Sequence, residues 1–136
     1  DMQLIEMGDF AGAVLKHLKK SPVKRLTICG GFGKISKLAD GHLDLHSGKS
    51  SINLPKLAYT AQRLGADNDL VTAIKACNTS LEALGLCQQQ DIDLAAAVCQ
   101  DALTFALTTV PNSVQLEIFA VNRQGELLGR AAGVAS

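Results

Sequence analysis

The run Gly30-Gly31-Phe32-Gly33-Lys34 is the first stretch whose residue types suggest chemistry. It follows an apolar segment ending at Cys29 and precedes a helical pattern carrying Ile35, Leu38 and Ala39. Glycines between a strand and a helix let the backbone approach a ligand closely. The helix N-terminus offers amide N–H groups to an anion, and Lys34 adds a positive charge. Ligands of α/β sheets tend to sit at strand C-terminal ends. The run is not a nucleoside-triphosphate loop, because Ile35 follows Lys34 where Ser or Thr would be needed, and it is not a full GxGxxG motif. A ligand loop and a plain strand-to-helix turn both fit it.

The second stretch is Gly41-His42-Leu43-Asp44-Leu45-His46-Ser47. If extended, His42, Asp44 and His46 point one way and Leu43 and Leu45 the other. Two imidazoles and a carboxylate on one face suit a transition metal. They also suit, with Ser47 and Lys49, a wall for an anionic ligand, and that reading is preferred. A polar loop pinned by its two leucines is the bland alternative. Histidine titrates near neutral pH, so proton transfer is within its range.

Other reactive types read as structural. Asn78-Thr79-Ser80-Leu81-Glu82 fits a helix cap, with Glu82 reaching back to the N-cap amide. His17 lies among lysines on a helix end. Cys29, Cys77, Cys87 and Cys99 form no close pair, which argues against structural zinc. None has a basic neighbour in sequence to activate it. They read as small buried hydrophobes in a reducing cytoplasm.

These residues must be positioned by a small scaffold. The 136 residues suit one domain, residues 1–136. Hydrophobic residues make up 47% and charged residues 19%, which excludes disorder. The 13 basic and 13 acidic side chains balance, so the basic excess of a nucleic-acid binder is missing. No apolar run approaches the roughly 18 residues of a membrane span. Asp1 stands where an initiator Met would, and the chain runs at once into Leu4-Ile5, so a piece of a longer protein is expected.

Phe10, Ala11, Val14, Leu15 and Leu18 place an amphipathic helix over Asp9 to Lys20, stopped by Ser21-Pro22. Val23 to Cys29 reads as a strand covered on both faces, as in a parallel sheet. Gly41 is a helix stop. Asn53 and Pro55 open a helix with the stripe Leu54, Leu57, Ala58, Ala61 and Leu64, closed by Gly65. Asp67 starts a short helix carrying Leu70, Val71 and Ile74. A longer one, apolar nearly all round, runs from about Asp91 to Leu107 and is expected at the centre. Val114 to Val121 alternates as a strand, Asn122-Arg123-Gln124-Gly125 turns, and a last strand runs through Leu127-Leu128. The expected architecture is one α/β domain: a small mixed β-sheet with helices packed around it.

The segment Leu26-Thr27-Ile28-Cys29-Gly30-Gly31-Phe32-Gly33-Lys34-Ile35-Ser36-Lys37-Leu38-Ala39-Asp40-Gly41, followed by Leu45-His46-Ser47, resembles the C-terminal region of the cobalt-precorrin-5B (C1)-methyltransferases, the CbiD-type enzymes of cobalamin biosynthesis. That family shows a strand, a Gly-His-x-Gly-Lys turn, a Lys-Leu-Ala-x-Gly helix end and a Thr-His-Ser triplet. Gly8-Asp9-Phe10 is similar to its Gly-x-Phe helix opening, and Asn78-Thr79-Ser80-Leu81-Glu82-Ala83-Leu84 to its Thr-Thr-x-Glu-Ala-Leu stretch. The chain departs from the pattern at Gly31, where many members have His, and at Leu45, where many have Thr. Members are more than twice as long.

The resemblance implies methyl transfer from S-adenosylmethionine to carbon one of a cobalt-corrinoid, in the cytoplasm, with the missing N-terminal part of the chain as partner and no nucleic acid or membrane. The anionic tetrapyrrole carries acetate and propionate groups. Lys34, Lys37, His42, His46 and Lys49 are then candidates to bind them through charge-assisted hydrogen bonds, while Gly30 to Gly33 can instead approach the donor. A metal-binding module on His42, Asp44 and His46, and a non-catalytic assembly domain, are the alternatives.

Overall fold

The computed structural model describes residues 2–6, 25–41, 53–110 and 112–135. Four strands form one sheet in the order β1 (Met2–Glu6), β2 (Arg25–Gly31), β3 (Gln115–Val121) and β4 (Leu127–Val134). β1, β2 and β3 are parallel, and β4 returns antiparallel to β3. The class is therefore α/β with a small mixed sheet, as expected. The sequence reading assigns no strand to Met2–Glu6; its alternation is too short to register, and its place is fixed by pairing with Arg25–Cys29.

Side-chain alternation along β2 and β3 sets the two faces. Leu26 and Ile28 are in register with Leu116 and Ile118, and all four are buried. Gly129, Ala131 and Gly133 of β4 pair with Ala120, Ile118 and Leu116 and complete this face. Five helices follow β2: α1 (Phe32–Ala39), α2 (Leu54–Arg63), α3 (Asn68–Lys75), α4 (Ser80–Gln89) and α5 (Leu94–Leu107). α1 and α5 pack on the sheet, α2 and α4 pack against that pair, and α3 packs on α2 and α4. The helices described here thus form two tiers over one face.

The apolar circumference of α5 is explained by this position. Leu94, Ala95, Val98, Cys99, Ala102, Leu103 and Ala106 are buried between the sheet and the outer tier. The helix starts later than expected: Asp93 is its N-cap and accepts from the Ala96 N–H at 3.1 Å, after Asp91 adopts a positive φ of 57°.

Local chemistry fixes the other helix ends. Asn53 and Asp67 cap α2 and α3 through their side-chain oxygens. Thr79 caps α4, accepting from the Glu82 N–H at 3.1 Å. The Glu82 carboxylate accepts from the N–H of Asn78, not of the cap residue itself. Gly41 and Gly65 stop α1 and α2 with φ of 90° and 104°, a region that costs side-chain-bearing residues roughly 1–2 kcal/mol.

Candidate functional site

β2 runs into α1 with no loop between them. Gly30 and Gly31 are its last two residues, in register with Ala120 and Val121. Gly31 is also the N-cap of α1, with φ −64° and ψ 155° and no side-chain cap bond. The expected turn over Gly30–Gly33 is therefore divided: two glycines end the strand, and Phe32 and Gly33 open the helix. The physical reason is that Gly31 adopts extended geometry, so the ladder with β3 continues to it. Phe32 is 1% exposed, so its ring belongs to the core and only its backbone faces the junction. Lys34 and Gly31 are exposed, and Gly33 is half-buried.

Two features make this junction suited to an anion. The first-turn N–H groups of α1 have no intrahelical acceptor, and the helix dipole favours negative charge there. Among the described residues, a Cβ built on Gly31 would meet nothing within 4 Å. Neither its φ nor its surroundings demand glycine, so the fold alone does not explain that residue.

Beside Gly31 lies the end of β3 and the hairpin after it. Asn122 Oδ1 accepts from the N–H groups of Gln124 and Glu126 at 3.0 and 2.9 Å, and Gly125 takes φ 79°. This hairpin carries the exposed Arg123 at the same C-terminal end of the parallel strands. Sequence reading treated Asn122–Gly125 only as a turn. The parallel register of Gly31 with Val121, two residues before Arg123, is invisible in the sequence.

His42, Asp44, His46 and Ser47 lie outside the described residues, as does Lys49. Their flanks are described. Lys56 in the first turn of α2 donates to the Ala39 carbonyl at 3.2 Å and pairs with Asp40 at 3.0 Å. Gly41 and Asn53, which bracket the imidazole segment, are thus tied near the C-terminal end of α1. Gly31 is at the opposite end, about 12 Å away along eight residues of helix. Among the described residues no group of three or more His, Cys, Asp or Glu can hold a metal.

A concavity of about 370 Å³ opens at the N-terminal ends of the parallel strands, beside Arg25, Thr27, Gln115 and Glu117. It is six residues of β2 from Gly31, about 20 Å. Another, about 280 Å³, lies between Leu84, Asp91, Asp93 and Leu128. The four cysteines are free thiols. Burial pushes Cys99 up to about 11, while an N–H from Ala120 opposes the shift. Burial also raises Cys77 and Cys87. None of these three raised thiols is an activated nucleophile. Among the described residues no helix is long and apolar enough to cross a membrane.

Residues 44–132 match the family model described as CbiD, C-terminal domain. The chain belongs to that family. It is similar to the cobalt-precorrin-5B C(1)-methyltransferase of Pseudomonas putida (strain W619), with 60% identity over 96% of this chain and 36% of the relative. The protein of the same name from Pseudomonas entomophila (strain L48) is 60% identical over 99% of this chain and 37% of the relative. That from Pseudomonas savastanoi pv. phaseolicola is 58% identical over 99% and 36%. The chain therefore spans little more than a third of the length of these relatives. No solved structure matches it. The CbiD match includes residues 44–52 of the imidazole segment as well as the chain from α2 to Ala132 in β4.

Proposed function

We propose that this chain is the C-terminal domain of an S-adenosylmethionine-dependent methyltransferase that methylates carbon one of cobalt-precorrin-5B. The observation that carries the reading is identity of about 60% over nearly the whole chain to relatives of that name.

Within this domain the β2–α1 junction is the candidate contact for an anionic group. The first-turn N–H groups of Phe32 and Gly33 and the positive charge of Lys34 suit a carboxylate, whether from an acetate or propionate arm of the tetrapyrrole or from the amino-acid part of the donor. That no described residue comes within 4 Å of a Cβ placed on Gly31 supports this reading. When bound, the donor supplies an electrophilic methyl on a sulfonium. The chain's own residues orient the reactants, which is where most of the rate gain of such a displacement lies. His42, Asp44, His46 and Ser47 are proposed to contribute a second polar wall.

Calorimetric titration of the full-length protein tests the reading. S-adenosylhomocysteine and a carboxylate-bearing cobalt-corrinoid should both bind, and Lys34→Gln should weaken one of them, identifying which partner meets the junction. Binding of neither would contradict it. Binding of a divalent metal that is lost in His46→Ala would favour a metal module instead.

A further inference from the structure

The helices described above cover one face of the sheet. The opposite face presents Arg25, Thr27 and Cys29 from β2 and Gln115, Glu117, Phe119 and Val121 from β3. Their register partners Arg130, Ala132 and Val134 on β4 complete it. Among the described residues no helix packs there. Parallel strands are normally buried on both faces, and this face has the composition of a covered one at its centre. Thr27 is 7% exposed, its hydroxyl has no hydrogen-bond partner, and Phe119 is half-buried. Around it lie a polar edge and exposed apolar groups. Arg130 pairs with Glu117 at 2.7 Å and stacks over Phe119, while Val134 is 52% exposed. The concavity beside Thr27 opens on this surface.

We propose that this second face is the docking surface for the remainder of the longer protein. The relatives carry nearly two-thirds of their length beyond the part matched here, and that length needs a place to join. The sheet face is roughly 20 Å on a side, about 400 Å², and inter-domain interfaces bury about 600–1,500 Å² counted over both partners. The mixed composition fits such an interface, which is more polar than a core. The proposal rests on the kinship with longer proteins and not on the methyl-transfer chemistry.

The test compares the 136-residue chain with the full-length protein, each carrying Ala132→Arg or, separately, Val134→Asp. In the short chain both changes should leave the melting temperature within a degree or two. In the full-length protein both should lower it by several degrees. Alkylation of Cys29 should be faster than that of Cys87 and Cys99 in the short chain and slow to their level in the full-length protein. Equal melting shifts in both proteins, or unchanged Cys29 reactivity, overturn the proposal. So does a dimer of the short chain that Ala132→Arg dissociates, because a second copy is then the occupant. None of these readouts depends on methyl transfer.

Discussion

A Cβ placed on Gly129 would lie 2.8 Å from the carbonyl carbon and 2.9 Å from the Cβ of Ala95. β4 therefore meets the first turn of α5 backbone to backbone, and the contact is one no side chain can enter. Gly129→Ala should cost about 1–3 kcal/mol by overpacking, measured by urea unfolding. Gly133→Ala should cost less, because its nearest obstacle is the end of the Leu103 side chain at 3.2 Å, which can rotate away. Equal costs at the two sites would mean that α5 can shift from the sheet.

Gly31 is the reverse case. Its ordinary φ and the empty space above it predict that Gly31→His keeps the fold, with stability within about 0.5 kcal/mol. An imidazole there adds a donor to the junction, and its charge appears below a pH of about 6.5. Corrinoid binding by the full-length variant should therefore strengthen as pH falls from 8 toward 5.5, relative to the parent. Identical pH profiles would remove the junction from the anion site.

Much of this scaffold was legible in the sequence because its signals are local. The caps Asn53, Asp67 and Thr79 and the stops Gly41 and Gly65 each act within one helical turn. The all-round apolarity of α5 correctly placed it at the centre. What failed was non-local. Met2–Glu6 is a strand only because Arg25–Cys29 offers it an edge. Leu127–Val134 extends far beyond the two leucines because Gly129 and Gly133 carry no alternating apolar signal, although the close approach of α5 explains both. The glycine run was located correctly and divided wrongly, since extended backbone at Gly31 is set by its pairing with Val121. The imidazole segment lies outside the described residues, and its described flanks meet at the end of α1 far from Gly31, where Lys56 reaches Asp40 and the Ala39 carbonyl.

That tie is itself testable. Lys56 bridges Asp40 and the Ala39 carbonyl, closing the C-terminal end of α1. The ammonium side chain is 42% exposed and the carboxylate 14%, so solvent screening keeps the pair near the upper end for surface pairs, about 1 kcal/mol. Lys56→Met should lose about that much, and the loss should shrink in high salt. A salt-independent loss would point to packing of the lysine stem instead.

Cys99 gives a pH signature. Its thiol is raised from an ordinary 9.0 to about 11, mainly by burial. The folded state then holds its proton where the unfolded chain releases it. This contribution is fully present below pH 9 and is lost as pH rises from 9 to 11. Cys99→Ala should destabilise the chain at pH 7 through lost packing, and the gap to the parent should narrow as pH approaches 11. A constant gap across that window would contradict the burial of the thiol.

The methylation reading comes down to one product. Full-length protein supplied with S-adenosylmethionine carrying a labelled methyl and with cobalt-precorrin-5B should transfer a single label to carbon one, located by nuclear magnetic resonance of the isolated corrinoid. No labelled corrinoid, or a label at another ring position, would contradict the account.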